Sequence, residues 1–74
     1  MIVRNKIEEA ITKKGLTIRS VINNYNSMIG KKVRKMTKDR LYDIRINEVE
    51  IRLMEVMNLA KVLEIDDFRE LIYS

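Results

Sequence analysis

The chain predicts an all-α fold, a compact bundle of about five short helices. Proline is absent and glycine occurs twice, at Gly15 and Gly30. Ile, Leu, Met, Lys, Arg and Glu are plentiful, and these side chains lose little freedom in a helix. Apolar residues recur at spacings of three and four in separate stretches. At 74 residues the chain holds one small domain, 1–74, with no linker or repeat. A core of that size is marginal, so the fold should be simple or supported by self-association.

The first helix is expected from Ile2 to Lys14, with Val3, Ile7, Ala10 and Ile11 on one face. Lys13 and Lys14 suit the negative end of the helix dipole. Gly15 supplies a left-handed stop. Thr17 is an N-cap for a second helix whose stripe is Ile18, Val21, Ile22 and Tyr25. Asn23, Asn24, Asn26 and Ser27 weaken a helix interior, so an end near 24–27 is expected. Gly30 marks a turn, and Met28, Ile29 and Val33 continue towards the core.

Thr37 caps a third helix, Lys38 to Arg45, with Leu41 and Ile44 inward. Asn47 and Glu50 have the spacing of a capping box. A fourth helix follows to about Glu64, apolar over much of its circumference, with Val49, Leu53, Val56, Met57, Ala60 and Leu63 on one side. Such a helix is central, or is covered on a second side by a partner. The five methionines read as core filler, with Met54 and Met57 available to a dimer contact. Asp66 or Asp67 caps a last short helix bearing Phe68, Leu71 and Ile72, and Tyr25 belongs to the core.

Cysteine and histidine are both absent. That removes disulfides, zinc sites, thiol or imidazole nucleophiles and imidazole bases. No acidic cluster stands apart from basic neighbours, so the expectation is no enzyme, no metal and no cofactor. No stretch approaches the roughly 20 apolar residues of a membrane span, and the N-terminus lacks a signal-peptide core. A soluble cytoplasmic protein is expected.

The chain carries a formal net charge of +4. Residues 30–40, GKKVRKMTKDR, hold Lys31, Lys32, Arg34, Lys35, Lys38 and Arg40 against one acid, Asp39, a net of +5. The positive charge is therefore a local patch, the footprint that phosphate-binding surfaces use.

Three stretches carry a resemblance to the Cro and phage-repressor (Xre-type) helix-turn-helix domain. KKGLTIRSVINNY resembles that family's first helix end, turn and second helix. TKDRLYDIR resembles its capped recognition helix. NLAKVLEIDDFRELI resembles its closing pattern. The resemblance implies a lambda-repressor-like fold and a small sequence-specific double-stranded DNA-binding regulator, acting as a homodimer on a pseudo-palindromic site in a bacterial or phage-infected cell. The recognition helix, about 37–45, would enter the major groove. Lys38, Asp39, Arg40, Tyr42 and Asp43 are its base-contacting candidates. Thr17, Arg19, Lys31, Lys32, Arg34, Lys35 and Thr37 are the phosphate-contacting ones. Tyr42 has a second reading, packing on the core edge.

The chain departs from the family in one respect. A turn of about three or four residues joins the two helices of the motif, whereas here Asn26–Met36 intervene. That stretch could lengthen the second helix, form a basic loop, add a small hairpin, or give the recognition helix an extra turn. It keeps a second function open: a protein-binding adaptor or inhibitor from a phage or mobile element. RNA binding is weaker, because one Phe and three Tyr leave few stacking surfaces.

Overall fold

The computed structural model describes residues 4–72. Its elements are α1 (Ile7–Lys14), α2 (Ile18–Met28), α3 (Lys38–Arg45), α4 (Leu53–Val62) and a 3-10 turn, Phe68–Leu71. The class is all-α, as expected. Among the described residues there is no named strand, only an isolated antiparallel bridge between Asn5 and Ile72. No helix among them is long and apolar enough to cross a membrane.

Both threonine caps are present. Thr17 Oγ1 accepts from Ser20 N–H and Thr37 Oγ1 from Arg40 N–H, each at 3.1 Å. Leu41 and Ile44 are fully buried on the inner side of α3. One core joins Ile7 and Ile11 of α1, Val21 and Tyr25 of α2, these two residues, Val56, Leu59 and Ala60 of α4, and Leu71. α2 packs on α4 and α3, α1 on α3, and the 3-10 turn on α4. Tyr25 is core, and its hydroxyl accepts from Asn58 Nδ2 at 3.4 Å.

Three helix ends share one device. After α1, Gly15 takes φ 67° while Gly15 N–H bonds Thr12 C=O and Leu16 N–H bonds Ile11 C=O. This is the Schellman stop, which satisfies the last carbonyls of a helix. Asn47, at φ 60°, repeats it after α3, with Asn47 N–H on Ile44 C=O and Glu48 N–H on Asp43 C=O. Glu64, at φ 56°, repeats it after α4, with Glu64 N–H on Lys61 C=O and Ile65 N–H on Ala60 C=O.

Several boundaries depart from expectation. α1 starts at Ile7, not Ile2, because Asn5 Oδ1 accepts from Ile7 N–H at 3.0 Å and begins the helix there. Ile2 and Val3 lie outside the described residues. α2 runs to Met28, past the predicted end, and Ser27 Oγ there donates to Asn23 C=O at 2.8 Å. The Asn47–Glu50 capping box does not form. Asn47 ends α3 instead, since asparagine tolerates the left-handed conformation better than most residues. α4 begins after Arg52, whose N–H donates to the Glu55 carboxylate at 2.9 Å, and it stops at Val62. The last element is a 3-10 turn, capped by Asp67. Core filling by methionine holds for Met36, which is buried, but Met28, Met54 and Met57 are exposed.

Asn5 ties the ends of the domain to its centre. It is 4% exposed, and its Nδ2 donates to Ile44 C=O at 2.8 Å and to Asn47 Oδ1 at 3.1 Å. Its own N–H reaches Asn47 Oδ1 at 2.8 Å. Next to it, Lys6 N–H donates to Leu71 C=O at 2.7 Å.

Two stability outcomes follow from these bonds and backbone angles. Asn5→Ala leaves Ile44 C=O and Ile7 N–H without this partner and should cost about 1–3 kcal/mol in urea unfolding; a loss under about 0.5 kcal/mol, the size of an ordinary surface change, would discount the knot. Glu64→Gly removes the Cβ penalty of a left-handed residue and should raise stability by about 0.5–1 kcal/mol, with no gain if position 64 is unstrained.

Candidate functional site

The segment between α2 and α3 resolves among the four conformations open to it. Its first part lengthens α2 to Met28, and the rest is a basic loop. Val33 N–H closes a turn on Gly30 C=O at 3.1 Å. The loop is anchored by Asn26, whose carboxamide pairs with the Met36 backbone. Asn26 Oδ1 accepts from Met36 N–H at 2.7 Å, and Asn26 Nδ2 donates to Met36 C=O at 3.0 Å. Met36, 3% exposed, is driven into the core beside this pair. The chain therefore enters α3 from a fixed point, one residue before the Thr37 cap.

Lys31, Lys32, Arg34 and Lys35 are all exposed on the loop, and Thr17, Thr37, Arg19, Lys38 and Asp39 are exposed at the starts of α2 and α3. A notch of about 340 Å³ brings Arg19 and Lys38 together over Ile18, Ile22 and Asn23. The first turns of α2 and α3 thus border one depression, with a cation from each. A second cleft, of about 370 Å³, is lined by Arg34, Lys35 and Thr37 with Arg40, Arg52 and Glu55. Tyr42 is 54% exposed on α3, which settles its position as outward rather than at the core edge, and Asp43 is half-buried.

Arg40 is placed differently from the other recognition-helix candidates. Its Nε donates to Glu55 Oε2 at 2.8 Å and its Nη2 to Glu55 Oε1 at 2.7 Å, a bidentate pair. Nη2 also reaches Glu50 C=O at 3.2 Å. These contacts turn the guanidinium towards α4, so Arg40 joins α3 to the start of α4. Burial pushes the Glu55 carboxyl up, but the Arg40 hydrogen bonds, the Arg52 N–H and both positive charges outweigh it. The result is a carboxyl held below its ordinary value. A second ion pair, Arg45 with Glu8, joins α3 to α1, and the Arg45 hydrogen bond lowers the Glu8 carboxyl.

Arg52 enters the cationic group through folding alone. Linear spacing separates it from residues 30–40, and only the start of α4 brings it to the same cleft. The signal for that start is Glu55, three residues on, in the reach-back position of a helix N-terminus. Arg34, Lys35, Lys38, Arg19 and Arg52 form no salt bridge among the described residues. No group of three or more carboxylates among them could hold a metal ion. Compared with known proteins, the chain matches no family model, no curated protein and no solved structure.

The Glu55 pair makes a signed prediction. A depressed folded-state pKa gives stability that is present above the unfolded value and is lost as pH falls through the folded one. Glu55→Gln should therefore destabilise at neutral pH, and its difference from wild type should shrink below the ordinary carboxylate value of 4.5. Urea midpoints measured along an acid series test this. A difference that stays constant down to roughly pH 2 would remove the ion pair as its cause.

Proposed function

We propose that this protein is a small sequence-specific double-stranded DNA-binding regulator of the repressor type, with α3 as the recognition helix. The observation that carries the reading is the paired arrangement of helix starts. The Thr17-capped end of α2 and the Thr37-capped end of α3 border one notch between Arg19 and Lys38. Amides at a helix N-terminus attract phosphate, and a hydroxyl that accepts an N–H keeps its own proton to donate. The loop cations Lys31, Lys32, Arg34 and Lys35 extend this positive surface up to the start of α3. They supply affinity and register rather than sequence information.

Base reading falls to Lys38, Asp39, Tyr42 and Asp43. Lys38 donates to guanine O6 or N7, and the two acids accept from cytosine N4. Arg40 is left out of this set because Glu55 holds the Nε–Nη2 edge of its guanidinium and turns it towards α4. The domain measures 30 × 25 × 22 Å along its principal axes. One turn of duplex is about 34–36 Å, so one copy covers one half-site and two copies suit a pseudo-palindrome.

Fluorescence anisotropy with a mixed-sequence duplex across a salt series tests the reading. Affinity should fall steeply with salt, and replacing Lys31, Lys32 and Lys35 by Ala should flatten the slope by about 0.9 for each phosphate no longer neutralised. Once a preferred site is selected, Lys38→Ala should cost about 1–3 kcal/mol at one base pair only. A folded sample that does not bind duplex at low salt would sink the proposal.

A further inference from the structure

The second cleft does more than collect cations. Arg34, Lys35 and Arg52 stand at its rim, while Tyr25, Val33 and Met36 give it an apolar floor. Glu55 is the acid in its lining, and Arg40 already matches that charge. The cleft also opens onto bare helix. Met54 lines it and is 56% exposed, and beside it on α4 Leu53 is 63% and Met57 39% exposed. Exposed Arg52 and Lys61 bracket this apolar stripe at its two ends.

A duplex uses the cations but leaves the stripe bare, since phosphates and sugars offer apolar side chains little. A second copy suits it poorly as well. Each chain carries +4, and a two-fold contact centred on the stripe sets Arg52 against Lys61 or against its own counterpart. The occupant that satisfies both halves of the surface is acidic and amphipathic. We infer that this face binds an acidic peptide segment of another protein, with apolar anchors at helical spacing. One anchor enters the cleft above Met36 and the next cover Met54 and Met57, whose flexible thioethers adapt to the anchors' shape. The segment's carboxylates pair with Arg34, Lys35 and Arg52. Arg34 and Lys35 are shared with the DNA reading, but Leu53, Met54 and Met57 have no part in it, so the two stand or fall separately.

The probe is a synthetic peptide of Glu with Leu at i, i+3, i+4 and i+7, titrated into the 15N-labelled protein. Amide shifts should concentrate at 34–36 and 52–57. Leu53→Ser with Met57→Ser, and separately Arg52→Glu, should each weaken binding by about tenfold or more. The serine variant should keep the duplex affinity of the wild type, whatever that affinity is. All three substituted positions are exposed, and the spectrum of each free variant reports its fold. Absence of shifts at millimolar peptide overturns the inference. So does undiminished peptide binding by the serine variant, which would mean charge attraction alone. Sedimentation of the peptide-free protein as a dimer that the serine variant dissolves would give the face to a second copy instead.

Discussion

Two hydrogen bonds between the Asn26 carboxamide and the Met36 backbone decide where the basic segment lies. A carboxamide can donate and accept in one plane, so it mimics the pairing of a second backbone. Here it gives the end of the loop the partners that a sheet or helix would otherwise provide. Met36 can then bury its side chain, because its N–H and C=O are already satisfied. With Met36 fixed, Thr37 caps α3, Arg40 faces Glu55, and the cations before Met36 are carried to the start of α3. The carboxamide positions the backbone, and the core retains the side chain.

A domain this small also has to close its ends without a disulfide. It does so with polar groups that are buried and fully partnered; no buried side-chain nitrogen or oxygen among the described residues lacks a hydrogen bond. Asn5 is the centre of that closure, and it depends on Asn47 adopting a left-handed backbone. The same residue thus ends α3 and offers Oδ1 to the N-terminal stretch. α3 is in this way fixed at both ends, by Asn26 through Met36 at its start and by Asn5 through Asn47 at its finish. Arg40 to Glu55 and Arg45 to Glu8 then set its rotation against α4 and α1.

The legible parts of this fold were those governed by neighbours in sequence. Thr17 and Thr37 cap as their position before apolar periodicity implies, Gly15 stops α1, and Leu41 and Ile44 face inward. What the sequence hides is the competition between local motifs and long-range partners. Asn47 with Glu50 has capping-box spacing, yet Asn47 serves Asn5, forty-two positions away in the chain. The apolar breadth of α4 does not say which side is inward, and the choice falls on Val56, Leu59 and Ala60. Arg40 reads as a base contact from its place in α3, but Glu55, fifteen positions on, claims it. The cationic patch was legible as a charge count; Arg52, which completes it in space, was not.

That claim on Arg40 sets the electrical character of the whole surface. Six cations in residues 30–40 would repel one another if all faced the same solvent, and they would bind any polyanion indiscriminately. Withdrawing Arg40 to a partly buried carboxylate lowers the repulsion and leaves a neutralised pair in the wall of the cleft. Of the other five, Lys38 lies with Arg19 in the notch towards α2, Arg34 and Lys35 lie with Arg52 in the cleft towards α4, and Lys31 and Lys32 line neither. The first group borders the starts of two helices. The second borders Met54 and its exposed apolar neighbours Leu53 and Met57. A single ion pair, Arg40–Glu55, thus sets how the charge of this eleven-residue stretch is distributed over the surface.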